Sequence, residues 1–243
     1  MVLSIIGIGL SDEKDITLKG LELVKKADFV YLESYTSKLS CSISKLEKLY
    51  GKKVILADRD MVENKTEIID NAVSKNVCFL VIGDVFSATT HVDIMQRALD
   101  KKIKVNVVHN TSVLTAIGST GLSLYKFGQT TSIPFDNKNV KSPVNVLLNN
   151  QKIGLHTLFL FDLDPLSDKF MNVKEAVSYL LDNGVKDQLA VACCGLGFSE
   201  QVIKVGKLKE LSKVKFDVYP QCLIIPGKLH FTEEEFLENF KLF

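Results

Sequence analysis

"CFLVIGDVFSATTH" (78–91) begins as one kind of structure and ends as another. Cys78 to Ile82 is an unbroken apolar run, Gly83 interrupts it, and Asp84 puts a carboxylate where the run stops. Small or hydroxylated residues follow: Ser87, Ala88, Thr89 and Thr90. A strand that is apolar throughout, rather than alternating, predicts a mostly parallel sheet covered by helices on both faces. An acid at the carboxyl end of such a strand lies where open α/β sheets bind their ligands.

The surrounding sequence repeats the pattern. Upstream, "VLSIIGIG" (2–9) reads as a strand running into a glycine turn, and "TLKGLELVKKA" (17–27) as an amphipathic helix. "DFVYLE" (28–33) and "KVILA" (53–57) read as strands around a helix at 42–51 that ends on Gly51. A helix at 67–76 precedes the quoted stretch. A helix at 91–102 and the strand "KVNVVH" (104–109) follow it. Strands alternating with helices give an α/β fold.

After His109 the pattern changes. Residues 111–128 read as glycine-interrupted helix and loop, 130–135 as a strand, and "DNKNVKSP" (136–143) as a surface loop. Next come a helix from Ser142, the strand "HTLFLFDLD" (156–164) and a helix at 173–184. Two adjacent strands at 188–197 and 200–208, a strand at 221–227 and a last helix at 232–243 complete the chain. Thr232 is the expected N-cap of that helix. This predicts two α/β domains, 1–109 with a mostly parallel sheet and 110–243 with a mixed sheet.

Composition removes several classes of function. Of 243 residues, 46% are hydrophobic and 24% charged, which is ample for packed cores. Thirty basic against 29 acidic residues leave a net charge of +1, without the basic excess of a nucleic-acid-binding surface. No apolar stretch reaches the roughly 18–20 residues of a membrane helix, and the amino terminus does not read as a signal peptide. The expected location is the cytosol. Five scattered cysteines and four histidines show no metal-ligand spacing, so no metal is expected. There is no nucleophile elbow and no P-loop. His91 reads as structural and His156 as exposed at the start of a strand. Vicinal Cys193 and Cys194 read as apolar strand residues on opposite faces.

The strand-end rule selects Gly7 to Leu10, Gly83–Asp84, His109 to Val113, Asp162 to Asp164, and Pro226 to His230. Each has a plainer reading when taken alone. Gly7-x-Gly9 lacks the third glycine of a dinucleotide fingerprint, because Asp12 stands there. Asp84 could be a helix cap, and Asp162 and Asp164 simple loop acids.

Taken together, these blocks resemble the tetrapyrrole-methylase-like methyltransferases. The similarity lies in "IGIGLSDEKDITLKGLELVKKADFVYLESYTS", "GDVFSATTH", "HNTSVLTAIGSTGLSLYKFGQTTSIPF" and "IIPGKLHFTEEEF". It is collinear from residue 3 to about 240. The resemblance implies two α/β domains with S-adenosylmethionine in a cleft between them, usually in a homodimer. The A-T-T-H and H-N-x-S blocks are similar to a branch whose substrate is translation elongation factor 2. That branch methylates the amine of an aminocarboxypropyl group already carried by a histidine of the factor.

Carried over by position, the donor contacts are Leu10, Asp84, Ser87, Ser112, Val113, Leu163, Val205 and His230. The small residues after Asp84 are expected to leave room for the donor. No catalytic residue is named, because the matched blocks hold no nucleophile–base pair and water could take the proton from the amine. The proline that the family carries after the acid is Val85 here, which allows the same turn with less rigidity. The short stretch between Leu163 and Gly206 favours three methylations over four. The other functions kept open are the fourth, ester-forming methylation, a corrin or porphyrin ring methyltransferase, and a non-catalytic binding module.

Overall fold

The structure, a computed structural model, describes residues 1–242, and the chain divides into two compact units, Met1–Leu114 and Thr115–Phe243. The first unit contains β1 (Val2–Gly7), α1 (Leu18–Lys26), β2 (Phe29–Glu33), α2 (Ile43–Tyr50) and β3 (Ile55–Ala57). It continues through α3 (Arg59–Glu63), α4 (Glu67–Ser74), β4 (Asn76–Val81), α5 (Val92–Asp100) and β5 (Lys104–Val108). A short helix, α6 (Val113–Ala116), runs across the division.

All strand pairs of this unit are parallel, in the order β3-β2-β4-β1-β5. Its apolar strands are buried on both faces, as their composition requires. On one face Ile6, Ile8, Leu32 and Leu80 pack with Val24 of α1 and Leu46 and Tyr50 of α2. On the other, Leu3, Ile5, Phe79 and Val81 pack with Ile68 and Ile69 of α4 and Ile94 and Ala98 of α5. The helix after β1 and the helix after β4 therefore leave neighbouring strands for opposite faces. The loops between them part at the carboxyl edge, which makes that edge the ligand position.

The sequence pattern did not reveal α3. Five residues are too few to show a helical period, and the helix stands on its cap: the Asp58 side chain accepts from the Met61 N–H at 2.8 Å.

The second unit contains β6 (Thr131–Ile133), α7 (Ser142–Lys152), β7 (Thr157–Phe161), β8 (Leu163–Asp164) and β9 (Lys169–Phe170). Then follow α8 (Val173–Asp182), β10 (Leu189–Cys194), β11 (Val202–Lys207), α9 (Leu208–Leu211), β12 (Gln221–Ile225) and α10 (Phe231–Leu237). Its main sheet runs β11-β10-β12-β7-β6, antiparallel except for the β6–β7 pair, and β8 pairs with β9 separately. Helices α7, α8 and α9 cover it through Leu147, Val177, Leu180, Leu208 and Leu211.

Two expectations change in this unit. The N-cap of α10 is His230, not Thr232: His230 and Glu233 form a reciprocal capping box, and Thr232 falls inside the first turn. His156 is not exposed. It is fully buried just before β7. Cys193 and Cys194 are buried strand residues, and all five cysteines are free thiols.

Candidate active site

Three loops meet at the carboxyl edge of the parallel sheet. Gly9 and Gly83 exchange backbone hydrogen bonds, Gly83 N–H to the Gly9 carbonyl at 2.7 Å and Gly9 N–H to the Gly83 carbonyl at 3.3 Å. This ties the loop after β1 to the loop after β4. The Asn110 amide, after β5, donates to the Gly7 and Asp15 carbonyls, both at 3.0 Å, and so secures the third loop. Gly7 permits this convergence. A Cβ there would lie 2.7 Å from the Gly83 carbonyl oxygen and 3.0 Å from the Asn110 Cβ.

Gly83 leaves a different kind of space. Its φ of +88° is open to glycine and strained for other residues. A Cβ built there would meet the Leu10 side chain and the Thr111 carbonyl at 3.8 Å and the Ser112 Cα at 3.9 Å, ordinary contact distances. Leu10 and Ser112, two of the residues expected from sequence, thus border one space. Val113 follows directly in α6.

Asp84 is the centre of these loops. One carboxylate oxygen accepts from the Phe86 N–H (3.2 Å) and the Ser87 hydroxyl (3.1 Å). The other accepts from the Asn110 N–H (3.1 Å) and from His109 Nδ1 (2.8 Å). Burial would raise its pKa. The hydrogen bonds from the Asn110 N–H, His109, the Phe86 N–H and Ser87 outweigh burial and hold the carboxyl below its ordinary value. Asp84 is therefore an ionised acid whose acceptor positions are occupied by its own protein. It shapes the loops that carry Ser87 and Ser112.

The residues after Asp84 also serve the turn itself. Thr89 Oγ1 donates to the Val85 carbonyl at 3.2 Å, and Ala88 adopts a left-handed φ of +59° that a larger or branched side chain would tolerate less well.

Sequence reasoning did not bring His109 and Asp84 together. They follow strands that are not neighbours, since β1 lies between β4 and β5. The imidazole donates from Nδ1, which leaves Nε2 as the acceptor in the neutral ring. The Asp84 side chain is 12% exposed and that of His109 67%. The Phe86 ring stands edge-on to His109, with centroids 6.1 Å apart.

The second unit treats its candidates differently. Leu163 opens β8, half-buried, and its N–H donates to the Asp162 carboxylate at 3.0 Å. Val205 is buried within β11, and its carbonyl accepts from the Leu242 N–H at 2.9 Å. His230 is exposed, with Nδ1 2.9 Å from the Thr232 hydroxyl. Because β12 runs antiparallel to β7, the loops carrying Leu163 and His230 leave opposite ends of that sheet.

This unit holds its own carboxylate–imidazole pair, which sequence reasoning also missed. Glu233 accepts from the Ser123 N–H (2.9 Å), His156 Nε2 (3.1 Å), the His230 N–H (2.8 Å) and the Lys126 ammonium. The Gly227 N–H donates to His156 Nδ1 at 2.9 Å, so both ring nitrogens are engaged. Burial pushes the His156 pKa down and keeps the ring neutral. Burial opposes ionisation of Glu233, but Lys126, the His230 and Ser123 N–H groups and His156 bring its pKa down to about 2. His91 is likewise buried, beside Phe79, and burial lowers its pKa to about 4.

Among the described residues, no group of three histidine, cysteine or acidic side chains is placed to hold a metal ion.

Comparison with known proteins sets this geometry in context. Residues 2–212 match the family described as Tetrapyrrole (Corrin/Porphyrin) Methylases. The chain is 43% identical over 272 aligned positions to a "Probable diphthine methyl ester synthase" of Arabidopsis thaliana, covering 99% of this chain and 98% of that protein. It is 40% identical over 244 positions to a "Diphthine synthase" of Methanococcus maripaludis, covering 96% of each. A solved structure described as "Crystal structure of diphthine synthase" superposes with a TM-score of 0.94 at 39% identity, over 99% of this chain and 96% of the other.

Proposed function

The chain belongs to the tetrapyrrole (corrin/porphyrin) methylase family, and from that premise we propose that it is an S-adenosylmethionine-dependent methyltransferase of diphthamide biosynthesis. Its substrate is the aminocarboxypropyl-histidine of translation elongation factor 2, and it methylates the amine three times. The likeness to proteins named for this activity spans nearly the whole chain. The observation that carries the donor site is the convergence of Leu10, Gly83, Thr111 and Ser112 at the carboxyl edge of the parallel sheet, beside an ionised Asp84.

The residues present fit such a donor. Asp84 brings an ionised carboxylate to the strand ends, and the donor carries a sulfonium and an ammonium. When bound, the donor supplies an electrophilic methyl group. Leu10 and Ser112 border the space it enters, while Ser87 and Val113 hold the loops on either side. Asp84 acts by fixing those loops. For Leu163, Val205 and His230 of the second unit, a donor contact rests on the family resemblance alone. Much of the rate comes from holding the amine in line with the methyl.

The number of methyls follows chain length. The alignment with the Methanococcus relative spans 244 positions and covers 96% of this chain, whereas that with the Arabidopsis relative spans 272 and covers 99%, so this chain needs fewer gaps against the former. This supports the trimethylated product over the methyl ester. By the same resemblance the enzyme works as a homodimer in the cytosol, a compartment that suits five free thiols. No helix among the described residues is long and apolar enough to cross a membrane.

The test is a mass spectrum of elongation factor 2 carrying the aminocarboxypropyl-histidine, after incubation with the protein and S-adenosylmethionine. Three added methyls on that histidine are expected. Four would replace the trimethylated product with the ester. None, with donor binding still seen by calorimetry, would move the substrate to a ring compound.

A further inference from the structure

We infer that His109, held by Asp84, is the catalytic base that takes the proton from the substrate's amino group before each methyl transfer. The inference rests on the functional reading above and adds a residue to it.

An aliphatic amine is protonated at neutral pH, and an ammonium nitrogen has no lone pair with which to attack. Each transfer requires the loss of one proton, so three successive methylations remove three protons in all, and a base set beside the nitrogen speeds each loss. An imidazole nitrogen with a free lone pair can take such a proton.

Three observations single out His109. Its Nδ1–H is 2.8 Å from Asp84, which fixes the tautomer and leaves Nε2 as the accepting atom. It stands at the ligand edge of the parallel sheet, three residues before Ser112, on the loop that Asn110 locks to Gly7. Its side chain is 67% exposed, so an acquired proton can pass to water between transfers. The groups the structure sets against the ring are the Asp84 carboxylate from the loop after β4 and the edge of Phe86. A carboxylate there also stabilises the imidazolium that forms.

The step balances as follows. Nε2 takes a proton from the ammonium, and the freed nitrogen pair forms the N–C bond. The C–S bond breaks, its electron pair returns to sulfur, and the positive charge passes from sulfur to nitrogen. The imidazolium then releases its proton to solvent. After the third transfer the nitrogen carries no proton, and the base is idle.

The test compares wild type with His109→Asn and His109→Gly on elongation factor 2 bearing the aminocarboxypropyl-histidine, with S-adenosylmethionine as donor. Wild-type kcat/KM should fall as the medium is made more acid, with the slope of a single protonation. His109→Asn should lose 10²–10⁴-fold in kcat at pH 7, with the acid limb gone and the rate climbing toward the pKa of the amine. Donor affinity by calorimetry and the melting temperature should stay at the wild-type values. Added imidazole should restore part of the activity of His109→Gly. Nitrogen-detected NMR of the free protein should show the His109 proton on Nδ1. The inference is overturned if His109→Asn keeps half the wild-type rate at pH 7. It is overturned too if the loss tracks weakened donor binding or is the same at every pH. A wild-type protein that transfers no methyl to this factor removes the functional reading itself, and this inference with it.

Discussion

Each unit contains a carboxylate that accepts a proton-bearing imidazole nitrogen and two backbone N–H groups, yet the two pairs serve different ends. At Glu233 everything is closed. The acid is 4% exposed, its histidine is fully buried, and the second nitrogen of that ring is taken by the Gly227 N–H. The pair joins the start of α10 to the segment before β7 and to the turn at Ser123. At Asp84 the acid is nearly as buried, but its histidine is two-thirds exposed and keeps an accepting nitrogen. The hydrogen-bond chemistry is shared. Whether the ring's outer nitrogen is occupied separates a structural brace from a group that can move protons.

The comparison breaks most readily at Glu233. Replacing it by alanine leaves a buried imidazole N–H and two backbone N–H groups without an acceptor, and should cost about 3–5 kcal/mol of stability in urea denaturation. A loss below about 1 kcal/mol would mean that the brace is not the structural element it resembles.

Acid should act on the same carboxyl. Its pKa of about 2 in the folded protein lies below the ordinary 4.5. A group with a depressed folded pKa contributes fully above its unfolded pKa, and that contribution is lost as pH falls through the folded value. Stability should therefore drop by about 3 kcal/mol at most between about pH 5 and pH 2. Glu233→Gln should be less stable at pH 7 and should lack this component, which unfolding midpoints across a pH series would show.

Asp84→Asn sharpens the contrast, because the replacement has nearly the same shape. Each carboxylate oxygen of Asp84 receives one backbone N–H, from Phe86 or Asn110. An asparagine must turn its NH2 toward one of them whichever way it lies. The expected cost is about 1–3 kcal/mol, together with a loss of turnover larger than the loss of stability suggests. Gly83→Ala should cost about 1–2 kcal/mol for the left-handed backbone, and its methyl group, set against Leu10, Thr111 and Ser112, should weaken donor binding in calorimetry.

The smallest stability effect separates the two histidines most clearly. His109→Ala should change the melting free energy by about 0.5 kcal/mol or less. His156→Ala should cost about 2–4 kcal/mol, since it both leaves a cavity and unpairs Glu233 and the Gly227 N–H. Equal costs for the two variants would erase the distinction drawn here.

Legibility from sequence followed the range of the signal. The parallel sheet was readable because Val2–Gly7, Phe29–Glu33 and Asn76–Val81 are apolar on both faces, a property each strand carries locally. Helix α7 begins at Ser142 and contains the expected run, with Pro143 in its first turn. Short elements with no period, α3 and β9, were not readable. Where all strands point one way, the residues that the strand-end rule selects, Leu10, Asp84 and Ser112, lie at one edge. In the mixed sheet the same rule chose Leu163 and His230, which follow antiparallel strands, and there a carboxyl end does not define an edge.

The sequence by itself determined the alternation of strand and helix, the change of pattern after His109, the family blocks, and the acid that closes the fourth strand. Only the tertiary structure decided what that acid meets. Asp84 and His109 lie 25 residues apart, on strands separated by β1, and their contact depends on Gly7 having no side chain between the Gly83 carbonyl and Asn110. Glu233 and His156 are separated by 77 residues and meet across the end of a sheet whose strand order no local pattern records. A side chain's chemistry is written at its own position. Its partner, its exposure and its free nitrogen are set by which strands become neighbours, and packing of the whole unit determines that.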